Sequence, residues 1–117
     1  MAGPNLIGAT TITGKIATSN ATTTSANLVA NPTSSSKVLK LNLLYVSNAN
    51  TSTAANVNVE VFRGAVGYGL IMNGTVPVGG ALTIVDKSLY LEEGDAVRIT
   101  ASANGIIQAV CSYEEIV

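Results

Sequence analysis

From Lys37 onward, apolar and polar side chains alternate with the two-residue period of a β-strand, and no stretch holds the 3.6-residue period of a capped helix. Leu39, Leu41, Leu43 and Tyr45 fall on one strand face, with Lys40 and Asn42 opposite. Leu44 and Val46 share that opposite face, so the end of this strand is expected to be covered on both sides. Val57, Val59 and Val61 alternate with Asn58, Glu60 and Phe62, the pattern of a half-buried strand. Leu82 with Ile84, then Leu89 with Leu91, make two further short alternating segments. The N-terminal third is poorer in large apolar anchors. There, residues 10–13 and 15–18 favour strand, Asn27-Leu28-Val29 follows a Thr/Ser run, and Asn31-Pro32-Thr33-Ser34-Ser35-Ser36 is the clearest loop.

Two Asn-Gly pairs predict hairpins. Asn73-Gly74 would separate strands at 68–72 and 75–78, and Asn104-Gly105 would separate 96–102 from 106–113. At the second, a three-residue loop of Ala103, Asn104 and Gly105 pairs Val97 with Cys111, Ile99 with Ala109 and Ala101 with Ile107. That register collects every small or apolar residue on one face. Pro77 inside an apolar alternation predicts an edge strand. The total is about eight short strands, which reads as an all-β, single-domain antiparallel β-sandwich, jelly-roll or immunoglobulin-like. Lack of paired Cys and of Trp excludes only the antibody-type version. Residues 1–7 (Met1, Ala2, Gly3, Pro4, Asn5, Leu6 and Ile7) read as an extended N-terminal arm and 8–117 as the sandwich domain.

Composition changes the picture mainly through what the surface is made of. The chain has 117 residues, of which 47% are hydrophobic but only 11% charged, against an ordinary charged share of about 25%. Mean hydropathy is +0.40, so the low charge does not indicate disorder. Thr, Ser and Asn together make up nearly a third of the chain. A soluble monomer usually keeps its surface charged to avoid association. A neutral surface suits a domain packed against its own copies or a larger assembly. Six basic residues are scattered and the net charge is -1, so no nucleic-acid footprint exists. Five of the acids (Glu92, Glu93, Asp95, Glu114 and Glu115) lie towards the C-terminus, interrupted by apolar residues, as on a solvated edge. No apolar run is long enough to span a membrane as a helix, and the opening residues carry no secretory pattern, which predicts synthesis without export.

No candidate for chemistry outweighs its structural explanation. The chain has no His, which removes His-based triads, and its one Cys cannot build a tetrahedral zinc site. Cys111 falls at an inward position and is expected to act as a small hydrophobe. Glu92, Glu93 and Asp95 around Gly94 could attract a hard cation, but the ligand spread is too narrow and the composition is that of a turn. Gly64, Gly67 and Gly69 lack the Lys-Ser/Thr of a phosphate loop, so a turn and a close strand crossing account for them. Asn20, Asn50 and Asn73 head glycosylation-type triplets, and Tyr113-Glu114-Glu115-Ile116 has the form of a phosphotyrosine ligand. Both are matches expected from composition. No catalytic residue, cofactor site or metal site is assigned.

Several stretches resemble a group of small proteins from tailed bacteriophages, chiefly contractile-tailed phages of marine cyanobacteria. They are the opening Met1-Ala2-Gly3-Pro4-Asn5-Leu6-Ile7-Gly8-Ala9-Thr10, the run from Ser36-Lys37-Val38 to Val46-Ser47-Asn48, Tyr90-Leu91-Glu92-Glu93-Gly94-Asp95, and the closing Ser112-Tyr113-Glu114-Glu115-Ile116. Residues 51–58 and 63–69 are less similar. The resemblance implies a virion structural protein assembled in the host cytoplasm. Its first placement is a capsid decoration (cement) protein, bound through residues 1–7 and edge strands to the major capsid protein and to its own copies, as a trimer. A neck, baseplate or fibre-associated tail protein is the alternative. A host-surface carbohydrate-binding module is weaker, because one Phe, four Tyr and no Trp leave few rings for sugars to stack on. No nucleic acid or membrane is expected as a partner.

Overall fold

In a computed structural model, which describes residues 8–117, the alternating segments become nine strands: β1 (Ile12–Asn20), β2 (Ala26–Ala30), β3 (Val38–Asn48), β4 (Ala55–Arg63), β5 (Val66–Val76), β6 (Ala81–Val85), β7 (Leu89–Leu91), β8 (Ala96–Ala101) and β9 (Ile107–Ile116). No helix occurs among the described residues. One antiparallel sheet runs β1-β9-β3-β6, with β7 also pairing β3; the second runs β2-β8-β4-β5. Because β6 and β7 lie along the same partner, they act as one interrupted strand. The order is then that of an eight-stranded jelly roll, with the first and last strands adjacent in one sheet. Of the two sandwiches left open by the sequence, the jelly roll is the one formed.

The core lies between the sheets. Leu39, Leu41, Leu44, Val46, Ile107, Ala109 and Cys111 from the first sheet meet Val57, Val59, Val97, Ile99 and Ala101 from the second, all nearly inaccessible to water. The alternation of β4 is as expected. That of β3 is not, because Leu43 is 38% exposed while Leu44 is fully buried. Opposite Leu41 and Leu43 on β3, the partner residues on β9 are Tyr113 and Ser112, so Asn42 is an extra residue in the ladder. This β-bulge shifts the phase by one, turning Leu44 and Val46 inward and Leu43 and Tyr45 outward.

Both predicted Asn-Gly hairpins are corrected. β5 runs through Asn73-Gly74 without turning; Asn73 takes a left-handed φ of 55° and sits where the β4–β5 register slips between Val57 and Val59. Asn tolerates that backbone region better than most residues, so the pair makes a bulge as readily as a turn. The actual hairpin lies at Gly64-Ala65, where Arg63 pairs Val66 and Gly64 supplies the positive φ of 63° needed at the first loop position. At Asn104-Gly105 the chain does turn, but it crosses from one sheet to the other. Hence Val97, Ile99 and Ala101 face Ile107, Ala109 and Cys111 across the core instead of beside them. β5 is an edge strand as Pro77 suggested, although Pro77 lies just beyond its end, in a turn closed by Gly80 N–H to Pro77 O at 2.9 Å.

Candidate interaction surface

The sequence-derived candidates for chemistry are all committed to structure. Asp95, 2% exposed, receives Arg63 Nε at 2.9 Å and Nη2 at 2.6 Å, together with the Glu92 backbone N–H at 2.9 Å. Arg63 Nη2 also reaches Glu92 Oε2 at 2.8 Å. The hydrogen bonds from Arg63 hold the Asp95 carboxyl below its ordinary range, and the same pair raises the guanidinium. Glu93 accepts from the Ser36 backbone N–H. These acids therefore tie the β7–β8 turn to β4 and to the 31–36 loop, and no metal-ligating cluster is found among the described residues. Cys111 is wholly buried, and burial pushes its thiol up to about 11.

The remaining motifs are placed as follows. Gly67 and Gly69 sit on the edge strand β5 with the Glu60 and Met72 side chains lying across them. Tyr113 to Ile116 form the end of β9 between β1 and β3, with Ile116 buried. Asn20 is exposed at the end of β1; Asn50 Oδ1 accepts from Ser52 and Thr53 N–H groups, and Asn73 Oδ1 accepts from Asn56. Val61, Arg63, Tyr68, Leu89 and Tyr90 line an open groove of about 340 Å³, and Arg63 is paired with Asp95. The expected interface at Met1, Ala2, Gly3, Pro4, Asn5, Leu6 and Ile7 lies outside the described residues.

The bulge at Asn42 creates a surface that alternation alone concealed. Reading across the outer side of the first sheet, Ile16, Ser112 and Leu43 form one row. Thr18, Val110, Tyr45 and Thr83 form the next, and Asn20, Gln108, Ser47 and Ala81 a third. None carries a charge. The nearest charged row holds Lys40 and Glu114, which pair with each other at 3.8 Å. Ile16 stands 67% exposed at the edge of this face. The available signal in the sequence was the Leu43-Leu44 doublet, which breaks the alternation directly after a polar Asn.

No family model and no curated protein matches the chain. Among solved structures it is similar to a chain described under "Bacillus endospore appendages form a novel family of disulfide-linked pili". That match has a TM-score of 0.55 and 15% identity, and it covers 99% of this chain and 96% of that one. At that identity the likeness concerns the fold.

Proposed function

We propose that the protein is a non-enzymatic structural subunit of a tailed-phage virion, acting by contact with its own copies and a larger shell, with capsid decoration as its placement. The observation that carries this reading is the three uncharged rows on the outer face of the β1-β9-β3-β6 sheet. Hydroxyl, amide and apolar side chains lose far less than ions on leaving water, so such a face can be covered by another protein at low desolvation cost. Two further points support it. The chain's ends and its Tyr90–Asp95 turn resemble phage structural proteins, and jelly rolls serve as viral shell domains. A contact of about 1,600 Å² would be ordinary, and many linked copies bind cooperatively even when each is weak.

A second placement, in a neck, baseplate or tail fibre, is favoured by the shared fold with a pilus chain. That protein is described as disulfide-linked. Here the single cysteine is buried in β9, so copies of this chain would be held together without covalent links. Antibody-gold electron microscopy of intact virions tests the proposal. Dense label over the head is the expected result. Label confined to the tail would transfer the role to the second placement, and unlabelled particles would overturn both.

A further inference from the structure

Four strand edges border the two sheets, and three are protected. β2 has five residues and a register slip between Asn27 and Val29; β5 slips twice against β4; and β6 and β7 are separated by Asp86, Lys87 and Ser88. β1 is different. It pairs β9 through nine consecutive residues with no slip and no proline, and its one charged residue, Lys15, is held by Glu115 at 3.1 Å. A long edge in regular register, with no strand paired to it among the described residues, is a template for another strand.

The direction of its backbone groups follows from the ladder. Thr11 and Val117 exchange hydrogen bonds at 3.3 and 2.9 Å, and Ala21 N–H donates to Ile107 O at 2.8 Å. Only alternate residues bond across an antiparallel pair. The odd-numbered residues of β1 therefore bond β9, leaving the N–H and C=O groups of Ile12, Gly14, Ile16, Thr18 and Asn20 directed at the open edge.

We infer that this edge pairs antiparallel with the β1 edge of a second copy, about a two-fold axis that sets Ile16 opposite the partner's Ile16. The strand is self-complementary in this register. All nine residues overlap, the outward groups meet each other in about ten hydrogen bonds, and Lys15 lies opposite the partner's Ala17. A slip of the sum of paired numbers by two towards the N-terminus would oppose the two Lys15 side chains, a like-charge pair that costs stability. A slip by four leaves only residues 12–16 of each strand paired. The chosen register also covers Ile16 with its own symmetry mate and joins the two neutral outer faces into one continuous sheet surface.

The test uses the purified full chain, so it is independent of any virion placement. At about 100 μM, where a micromolar contact is populated, sedimentation should show a dimer. Residue-resolved hydrogen exchange should then slow the amides of Ile12, Gly14, Ile16, Thr18 and Asn20 by at least about tenfold relative to dilute protein, with the odd-numbered amides protected at both concentrations. Ile16→Pro removes an outward N–H and no β1–β9 bond, so it should give a monomer with a nearly unchanged thermal transition. If that variant fails to fold, the exchange pattern of the unmodified protein still decides. A monomer at this concentration, or an oligomer whose even-numbered amides exchange freely, overturns the proposal. So does protection that appears only on adding a different protein.

Discussion

Three buried polar side chains hold the ends of the strands together, and each is fully engaged. Asn31, 2% exposed, donates from Nδ2 to Lys37 O at 2.9 Å and Leu91 O at 3.0 Å, binding the 31–36 loop to β7. Asn48 does the same at the far end of β3, donating to Thr53 O and Val76 O. Removing either amide strands one buried and one partly buried carbonyl, so Asn31→Ala or Asn48→Ala should cost about 2–4 kcal/mol in chemical denaturation. Asp95 adds a pH dependence. Its carboxyl is held below the ordinary value in the fold, so its contribution is complete above that value, near 3.8, and is lost as pH falls through the folded value. The thermal midpoint should be flat from pH 7 to about 5 and drop below about 4. Asp95→Asn should be less stable at neutral pH and show a shallower drop. Glu115, lowered by Lys15 and Lys37, acts in the same direction, though its greater exposure weakens the effect. Cys111 should resist a thiol reagent at pH 8 until the protein unfolds, since it is both inaccessible and mostly protonated.

At the scale of elements, the phase of β3 is the decisive detail. Deleting Asn42 makes the ladder regular and leaves Leu41, Leu44 and Val46 facing inward, so the deletion variant should keep a cooperative thermal transition, whereas deleting Tyr45 turns Val46 outward and should abolish it. The second bulge is tested by substitution. Asn73→Gly should be tolerated within about 0.5 kcal/mol, whereas Asn73→Val, forced into a left-handed backbone, should cost about 1–3 kcal/mol. These two bulges also delimit what the residues disclosed beforehand. Alternation identified β4, the inward faces of β8 and β9, and the sandwich class, because burial on one sheet face imposes a period of two wherever the ladder is regular. An Asn-Gly pair only states that positive φ is available. Whether that freedom makes a hairpin, a bulge or a crossing between sheets depends on partners distant in the chain. The candidate face was hidden for the same reason, since Leu43 and Tyr45 read as core until Asn42 was counted as an extra residue.

For the whole molecule, assembly and stability should separate by mutation. Val110→Glu places a charge in the middle of the neutral rows and should abolish binding to the proposed shell, measured by co-sedimentation with particles, while shifting the thermal midpoint by only a few degrees. Deletion of residues 1–7 is expected to weaken assembly and leave the transition in place; loss of folding would assign that segment to the core instead. The pairing of β9 with both β1 and β3 has a consequence for how the protein comes into being. The strand that completes the main sheet follows the other eight in the chain, and its partner β1 leads them. Until β9 leaves the ribosome, β1 and β3 have no strand between them, and the nascent chain waits with part of its apolar surface open. Folding is then governed by closure of a loop that spans nearly the whole domain, and is correspondingly slow. In the proposed role, with many copies made at once, the chain would pass through a crowded, unfinished stage in which scarcity of charge is a hazard before it becomes an advantage.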